Sequence, residues 1–325
     1  MNDIWENLRM KFILAPLAGF TNAAFRTLCL KGGADLVYTE MVSMAGLAHS
    51  SNPTRHLMEV LPDEKNTACQ IFGSKPHEAA IAAKEVSKTG YFTSINLNCG
   101  CPMPKVVREG AGAALIHSPE LIHDCLVAMK SVTSLPVTLK TRPGPKPDNI
   151  KMFEILSAAE DAGATEITLH ARFTSQAHGG EVHLKLLAEL VSRAKIPVIG
   201  NGSVVDVASA KAMEETGVAG IMIGRAALND PFIFARLKGA QAPEFTPDVR
   251  KKLFHDHIDL LIKLYSQIKN NFPSDYLPTL DSYVSGFLRT HLFRYFSGLR
   301  GAAEIRRHMN DIHTVEDVMK ISNIF

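Results

Sequence analysis

The sequence predicts an α/β chain: a (β/α)8 TIM barrel over residues 1–242, followed by a small all-helical domain over residues 243–325. Three observations lead there. Short apolar or β-branched runs recur eight times over about 240 residues, and most are followed by an amphipathic helical pattern. All but one of the strand-like runs end in or beside Gly, Asn, Arg or His, which suits chain ends that open into loops. From about residue 245 onward the strand signal stops, and helical patterns continue between Pro and Gly breaks. A doubly wound sheet would more often hold roughly five to seven strands, so the barrel is the better match.

The strands read in order as "ILAPLAG" from Ile13, "LVYTEMV" from Leu36, "TACQIFG" from Thr67 and "SINLNCG" from Ser94. They continue as "PVTLKTR" from Pro136, "EITLHAR" from Glu166, "IPVIGNG" from Ile196 and "GIMIGR" from Gly220. Helical runs such as "HEAAIAAKEVSKTG", "PELIHDCLVAMKSVT" and "NIKMFEILSAAEDAGA" lie between them, several closing on a Gly suited to a left-handed C-cap. The terminal segment offers "PEFTPDVRKKLFHDHIDLLIKLYSQIKNNF", "LPTLDSYVSGFLRTHLFRYFSG" and "GAAEIRRHMNDIHTVEDVMKISNIF", read as a small helical bundle.

Composition bounds the function. At 46% hydrophobic the chain can bury a large core, and a net charge of +2 announces no nucleic-acid partner by itself. The start lacks a basic segment followed by a long apolar one, and no apolar run reaches the roughly 18 to 20 residues of a membrane helix, so a cytoplasmic protein is expected. Five cysteines, mostly in apolar surroundings, suit reduced core thiols better than a disulfide framework.

Side-chain alternation places Thr138, Lys140 and Arg142 on one face of their strand, Thr168, His170 and Arg172 on one face of the next, and Ser94, Asn96 and Asn98 likewise. In a barrel the apolar faces meet the surrounding helices, so these polar rows point inward and climb to the C-terminal mouth. An unpaired buried Lys is costly, which makes Lys140 beside His170 a ligand site rather than a packed layer. Asn201, Gly202, Gly224 and Arg225 lie at the turns after the last two strands, where barrels commonly bind phosphate. Arg225 adds a forked contact. With Gln70 also pointing inward, the set suits flavin mononucleotide, whose ring needs hydrogen bonds and a positive charge near N1; a sugar phosphate would satisfy the phosphate turns equally well. The run "GAGAAL" at 110–115 lacks the third glycine and the βαβ setting of a dinucleotide fingerprint.

Several segments in order resemble the tRNA-dihydrouridine synthase family: "APLAGFTNAAFR" at 15–26, "TEMVS" at 39–43, "QIFG" at 70–73, "NLNCGCPMPKVVREGAGAAL" at 96–115, "KTRPG" at 140–144, "LHAR" at 169–172, "GNGS" at 200–203 and "IGRAALNDPFIF" at 223–234. The resemblance implies FMN held by Pro16, Leu17, Ala18, Gln70, Lys140, His170, Asn201, Gly202, Ser203, Gly224 and Arg225. It implies Cys101 as proton donor, Asn98 near the flavin or the target uracil, NADPH (or NADH) as a transient reductant, and a C-terminal tRNA-binding domain. The chain departs from the family pattern at Asn22 and Ser203, where a carboxylate is usual, and at Phe173 and His178.

Reducing the uracil C5–C6 bond needs hydride at C6 and a proton at C5. A thiol donor must stay protonated until used, which suits partial desolvation beside Pro102 and Met103. Cys99 falls out of phase with Asn96 and Asn98 and reads as a core residue. Cys-Gly-Cys offers no second ligand pair at a metal spacing, so no metal is expected. Lys105, Arg108 and Lys146, on loops after strands four and five, are candidates for holding the RNA near the mouth, with Arg142 in the same substrate set. In the bundle, Arg289, Arg294, Arg300, Arg306 and Arg307 lie in a segment with His291, Phe293, Tyr295 and Phe296, a mixture that by pattern suits either RNA or an ordinary amphipathic helix face; the resemblance implies RNA, with Arg294 and Arg300 as substrate contacts. No membrane contact and no stable protein partner are implied. Two other readings remain open at this stage: an FMN barrel reducing a small pyrimidine or enone, and a non-catalytic RNA-binding protein.

Overall fold

The structure, a computed structural model, describes residues 10–273, 275–299 and 302–322. Nine short strands form one parallel sheet that curls into a barrel: β1 (Lys11–Leu14), β2 (Val37–Tyr38), β3 (Val42–Ser43), β4 (Thr67–Phe72), β5 (Ser94–Cys99), β6 (Val137–Thr141), β7 (Ile167–His170), β8 (Val198–Asn201) and β9 (Gly220–Ile223). Neighbours follow chain order from β4 to β9, and β9 pairs with β1. The ring closes where Leu14 N donates to Leu36 O and Asp35 N donates to Phe12 O, each at 2.9 Å. These are the expected eight staves, because β2 and β3 share the second one.

That second run, expected as a single strand, is interrupted. Tyr38 stands opposite Ala68 whereas Val42 stands opposite Ile71, so one extra residue has been inserted on the β2–β3 side. The cause is local. Thr39 Oγ1 accepts the Gln70 amide at 3.0 Å, taking a ladder donor that a backbone carbonyl would otherwise receive. The chain bulges there and brings Met41 to the mouth, while the buried Glu40 accepts the Gly19 amide at 2.5 Å.

Two apolar layers follow from the alternation. The outward faces, such as Leu97 on β5, Leu139 on β6 and Leu169 on β7, join the helices in one large core. The barrel's interior holds a smaller plug that includes Ile13, Tyr38, Ile199 and Met222. The polar inward rows are therefore a property of β4 to β7, while β1, β2, β8 and β9 seal the bottom with apolar groups. The large core continues without a break into the C-terminal helices through Phe254, Leu261, Leu288 and Leu292. Residues 238–246, which carry no helix or strand, lead into helices Pro247–Asn271 and Leu280–Tyr295. The first packs on helix Ala23–Lys31 and the second on helix Arg225–Asn229. No helix among the described residues is long and apolar enough to cross a membrane.

Candidate active site

The floor of the mouth is a hydrogen-bonded row set by strand register. Gln70, Asn96 and Thr138 stand side by side on β4, β5 and β6. Gln70 Nε2 donates to Asn96 Oδ1 at 2.7 Å, and Asn96 Nδ2 donates to Thr138 Oγ1 at 2.8 Å. One step higher, Asn98 Nδ2 donates to Gln70 Oε1 at 2.8 Å. Gln70 is thus fully buried beneath the cavity, each of its polar atoms already engaged.

Asn98 forms the next layer. Its Oδ1 accepts the amides of Gly100 at 3.1 Å and Cys101 at 3.0 Å, an Asx-type turn that fixes the chain leaving β5. Both polar ends of Asn98 are spoken for, so it shapes the loop that presents Cys101. The "GAGAAL" run supports the same loop from behind. Ala113 N donates to Cys101 O at 2.9 Å, and Gly112 has φ +60° with no room for a side chain: an added Cβ would stand 2.7 Å from Cys101 O. That role was invisible in the run itself. Cys101 is partly exposed, whereas Cys99 is buried in the outer core.

A cavity of about 370 Å³ opens over this floor, with Leu17, Asn98, Cys101, Lys140 and His170 among its walls. Four cationic side chains reach it, Lys140, Arg142, Arg225 and Arg294, and no carboxylate does. Their partners are neutral. Lys140 Nζ donates to Asn201 Oδ1 at 3.1 Å, and Asn201 Nδ2 is itself tied to Met222 O at 2.8 Å. Arg142 donates to Gly100 O at 2.8 Å and Phe173 O at 3.1 Å. Arg225 donates to His178 O at 3.1 Å. Burial, then the neighbouring Arg142, holds the Lys140 ammonium down to about 7, with Cys101 acting in the opposite direction. Burial likewise brings Arg142 to about 10.

His170 is kept well below the usual histidine range by burial first and then by Lys140, Arg142 and Arg172. It is a neutral imidazole. Arg172 Nη1 lies 3.3 Å from His170 Nε2, and since arginine only donates, Nε2 accepts and Nδ1 carries the proton. Arg172 also donates to Gly180 O at 2.9 Å and to Ser203 Oγ. A carboxylate at position 203 would pair with this guanidinium; the serine leaves its charge uncompensated. His178 stacks on His170 with ring centroids 6.3 Å apart. Arg172 and His178, absent from the expected site set, are brought into it by the loop that follows β7.

A second cavity, about 590 Å³, adjoins the first and is walled by the turns after β8 and β9, including Asn201, Gly202, Ser203 and Gly224. Gly202 has φ +132°, and a Cβ there would meet His170 Cδ2 at 3.2 Å and Val182 Cγ2 at 3.3 Å. The phosphate-type turns and the Lys140–His170 pair thus flank one continuous opening. Pro16, Leu17 and Ala18 supply an apolar wall on its other side.

The positions expected to meet RNA divide. Lys105 and Arg108 are exposed on helix Pro104–Arg108, next to the cavity rim at Met103. Lys146 is exposed but paired with Asp148 at 3.0 Å. Arg294 lines both cavities. His291, Tyr295 and Phe296 correct the sequence reading: all three are buried, with His291 packed against Phe25 at 4.9 Å and Phe20 at 5.2 Å between ring centroids. They hold helix Leu280–Tyr295 to the barrel and offer no RNA surface. Arg300 and the Arg306 side chain lie outside the described residues. Among the described residues, no group of three or more His, Cys, Asp or Glu side chains is placed to hold a metal ion.

Comparison with known proteins gives a consistent picture. Residues 13–324 match the family model described as dihydrouridine synthase. The chain is 36% identical over 242 residues to the probable tRNA-dihydrouridine synthase of Treponema pallidum, covering 71% of each chain. It is 33% identical over 308 residues to tRNA-dihydrouridine synthase B of Salmonella typhimurium, covering 91% of this chain and 94% of that one, with the same figures for the protein of that name from Escherichia coli K12.

Proposed function

The chain belongs to the dihydrouridine synthase family, and from that premise we propose that it uses FMN to reduce the C5–C6 double bond of particular uridines in tRNA, with Cys101 as proton donor and NADPH (or NADH) as transient reductant. The observation that carries this reading is the first cavity itself: a partly exposed thiol, a neutral imidazole and a group of cations converge on it, and none of its lining residues is an Asp or Glu. Such a site wants an anion with a polar ring, and FMN has both.

The residues present fit that group. Gly202 lets the chain pass close to His170 where any side chain would intrude, and the turns at Asn201–Ser203 and Gly224–Arg225 suit a phosphate. Pro16, Leu17 and Ala18 provide an apolar bed for a ring, with Lys140 and His170 across from it. When bound and reduced, FMN supplies the hydride for C6.

The chain's own residues do the rest. Lys140 offers positive charge where reduction of a flavin places negative charge, and Asn201 aims it. His170, held neutral, offers its Nδ1–H as a donor without adding charge. Asn98, steadied from below by Gln70, holds the Cys101 loop so that the thiol can give its proton to C5. Arg142 braces the same loop through Gly100 O. The target base must leave the stack to reach this depth, at a cost of a few kcal/mol. We assign the offsetting backbone contacts to Lys105, Arg108 and the helical region 243–325, and the cytoplasm as the place where tRNA is met.

Mass analysis of tRNA tests the reading. Cells lacking the protein should lose a mass of two hydrogens at a specific uridine, and restore it with the intact gene but not with Cys101→Ala. Reduction of free uracil as fast as of tRNA would overturn the RNA assignment.

A further inference from the structure

The two cavities at the mouth have two residues in common, Arg225 and Arg294. Arg225 opens helix Arg225–Asn229 at the end of β9. Arg294 comes from the last turn of helix Leu280–Tyr295, which packs against that short helix and so delivers a second guanidinium to the same partition. The pair separates the chamber that holds Lys140, His170 and Cys101 from the chamber that holds the phosphate-type turns. A ligand with its ring in one and its phosphate in the other must pass between them.

Their states differ. Arg225 is held by His178 O, whereas Arg294, half-buried, has no hydrogen bond or ion pair among the described residues. A guanidinium has five donors, and those of Arg294 face the two cavities, where an anion can take them in place of water. A phosphate monoester carries close to two negative charges at neutral pH, and a planar fork can bind two of its oxygens. Lys105 and Arg108 stand on the exposed rim where a polynucleotide backbone would run; Arg294 stands in the junction.

We propose that Arg294 is a ligand for the phosphate of the cofactor, supplied to the barrel site by the C-terminal helices, rather than a contact for RNA. The inference rests on the FMN reading above. It makes the helical region part of the cofactor site, so cofactor binding and the docking of helix Leu280–Tyr295 stabilise one another reciprocally.

The experiment compares FMN with riboflavin, which has the same ring and no phosphate. Flavin-stripped wild-type protein, Arg294→Met and Arg294→Lys are titrated with each by flavin fluorescence, and melting curves confirm that the variants fold. The expected result is a Kd for FMN raised at least about tenfold in R294M, partly restored in R294K, with riboflavin affinity unchanged. Hydrogen exchange in helix Leu280–Tyr295 should slow when FMN is added to the wild type and not when it is added to R294M. Unchanged FMN affinity in R294M, with a loss only in tRNA affinity and its salt dependence, overturns the assignment and makes Arg294 an RNA contact. Equal loss of FMN and riboflavin also overturns it. If the stripped wild type binds neither flavin, the FMN reading itself falls and the inference with it.

Discussion

Lys140 makes the proposed cofactor affinity depend on pH in a way that can be calculated. In the free protein its ammonium is held down to about 7 by burial and by Arg142. The cofactor site needs the charged form, so above pH 7 binding must first recharge the lysine. The sign follows: as pH rises above about 7 affinity weakens by close to tenfold per unit, until the pKa of the complex is reached. Between pH 7 and pH 9 the Kd for FMN should rise by about 50-fold, or about 2.3 kcal/mol at 1.36 kcal/mol per decade. The ligand does not blur this limb, because a phosphate monoester with a second pKa near 6 is already a dianion there. The other groups facing Lys140 are Arg142, which stays charged, His170, already neutral, and Cys101. Fluorescence titration of the stripped protein at half-unit steps measures the slope, and riboflavin isolates the ring's share. Lys140→Met should bind weakly and without slope. A wild-type Kd that is constant from pH 7 to pH 9 would refute the reasoning.

Other consequences are independent of that slope. Gly112→Ala should cost about 1–3 kcal/mol and displace the Cys101 loop, because a left-handed backbone is strained for alanine and the new Cβ meets Cys101 O at 2.7 Å; FMN binding should survive while tRNA turnover drops at least about tenfold, as single-turnover assays would read. Charge reversal at Lys105 and Arg108 should lower the slope of log affinity against log salt by about 0.7–0.9 per lost phosphate contact, measured by filter binding; an unchanged slope removes them from the RNA path. Burial holds His291 down to about 3, so it stays neutral in the fold while the unfolded chain takes up a proton below pH 6.5. Stability is therefore lost as pH falls, by about 1.6 kcal/mol from this residue between pH 6.5 and 5, and urea unfolding of His291→Phe should show a correspondingly smaller acid loss.

The barrel was legible because period-two alternation and strand-to-helix alternation are local signals. Thr138, Lys140 and Arg142 read inward from β6 alone. What escaped depended on partners far along the chain. Gln70 pointed inward as expected, but that Asn96 and Asn98 would engage its amide follows from the register of β4 against β5, which no single strand encodes. The split of the second strand turned on one threonine hydroxyl taking one amide. His291, Tyr295 and Phe296 were ambiguous because an arginine and aromatic mixture is the same string whether the rings face RNA or a core. Phe25, from the first helix of the barrel, decides it.

The mouth's hydrogen bonds explain why its charge is available at all. Deep in the first helix, Arg26 is neutralised by Glu64 in a fully buried pair whose other hydrogen bonds all stay within the protein. Around Lys140 and His170 the positioned cations are instead aimed by neutral acceptors: an asparagine oxygen for Lys140, loop carbonyls for Arg142, Arg172 and Arg225, a serine hydroxyl for Arg172. A carboxylate would have positioned these groups equally well and cancelled them, leaving an incoming anion to compete with a covalently tethered one. Neutral acceptors fix direction and leave charge uncompensated. The cost is visible in Lys140 near 7 and Arg142 near 10, both driven down by burial and by neighbouring cations. On the proposed reading, a dianionic cofactor would relieve that repulsion at these residues at once, so its binding energy would also be folding energy for the β7 to β9 loops and, through Arg294, for the helices that lie over them.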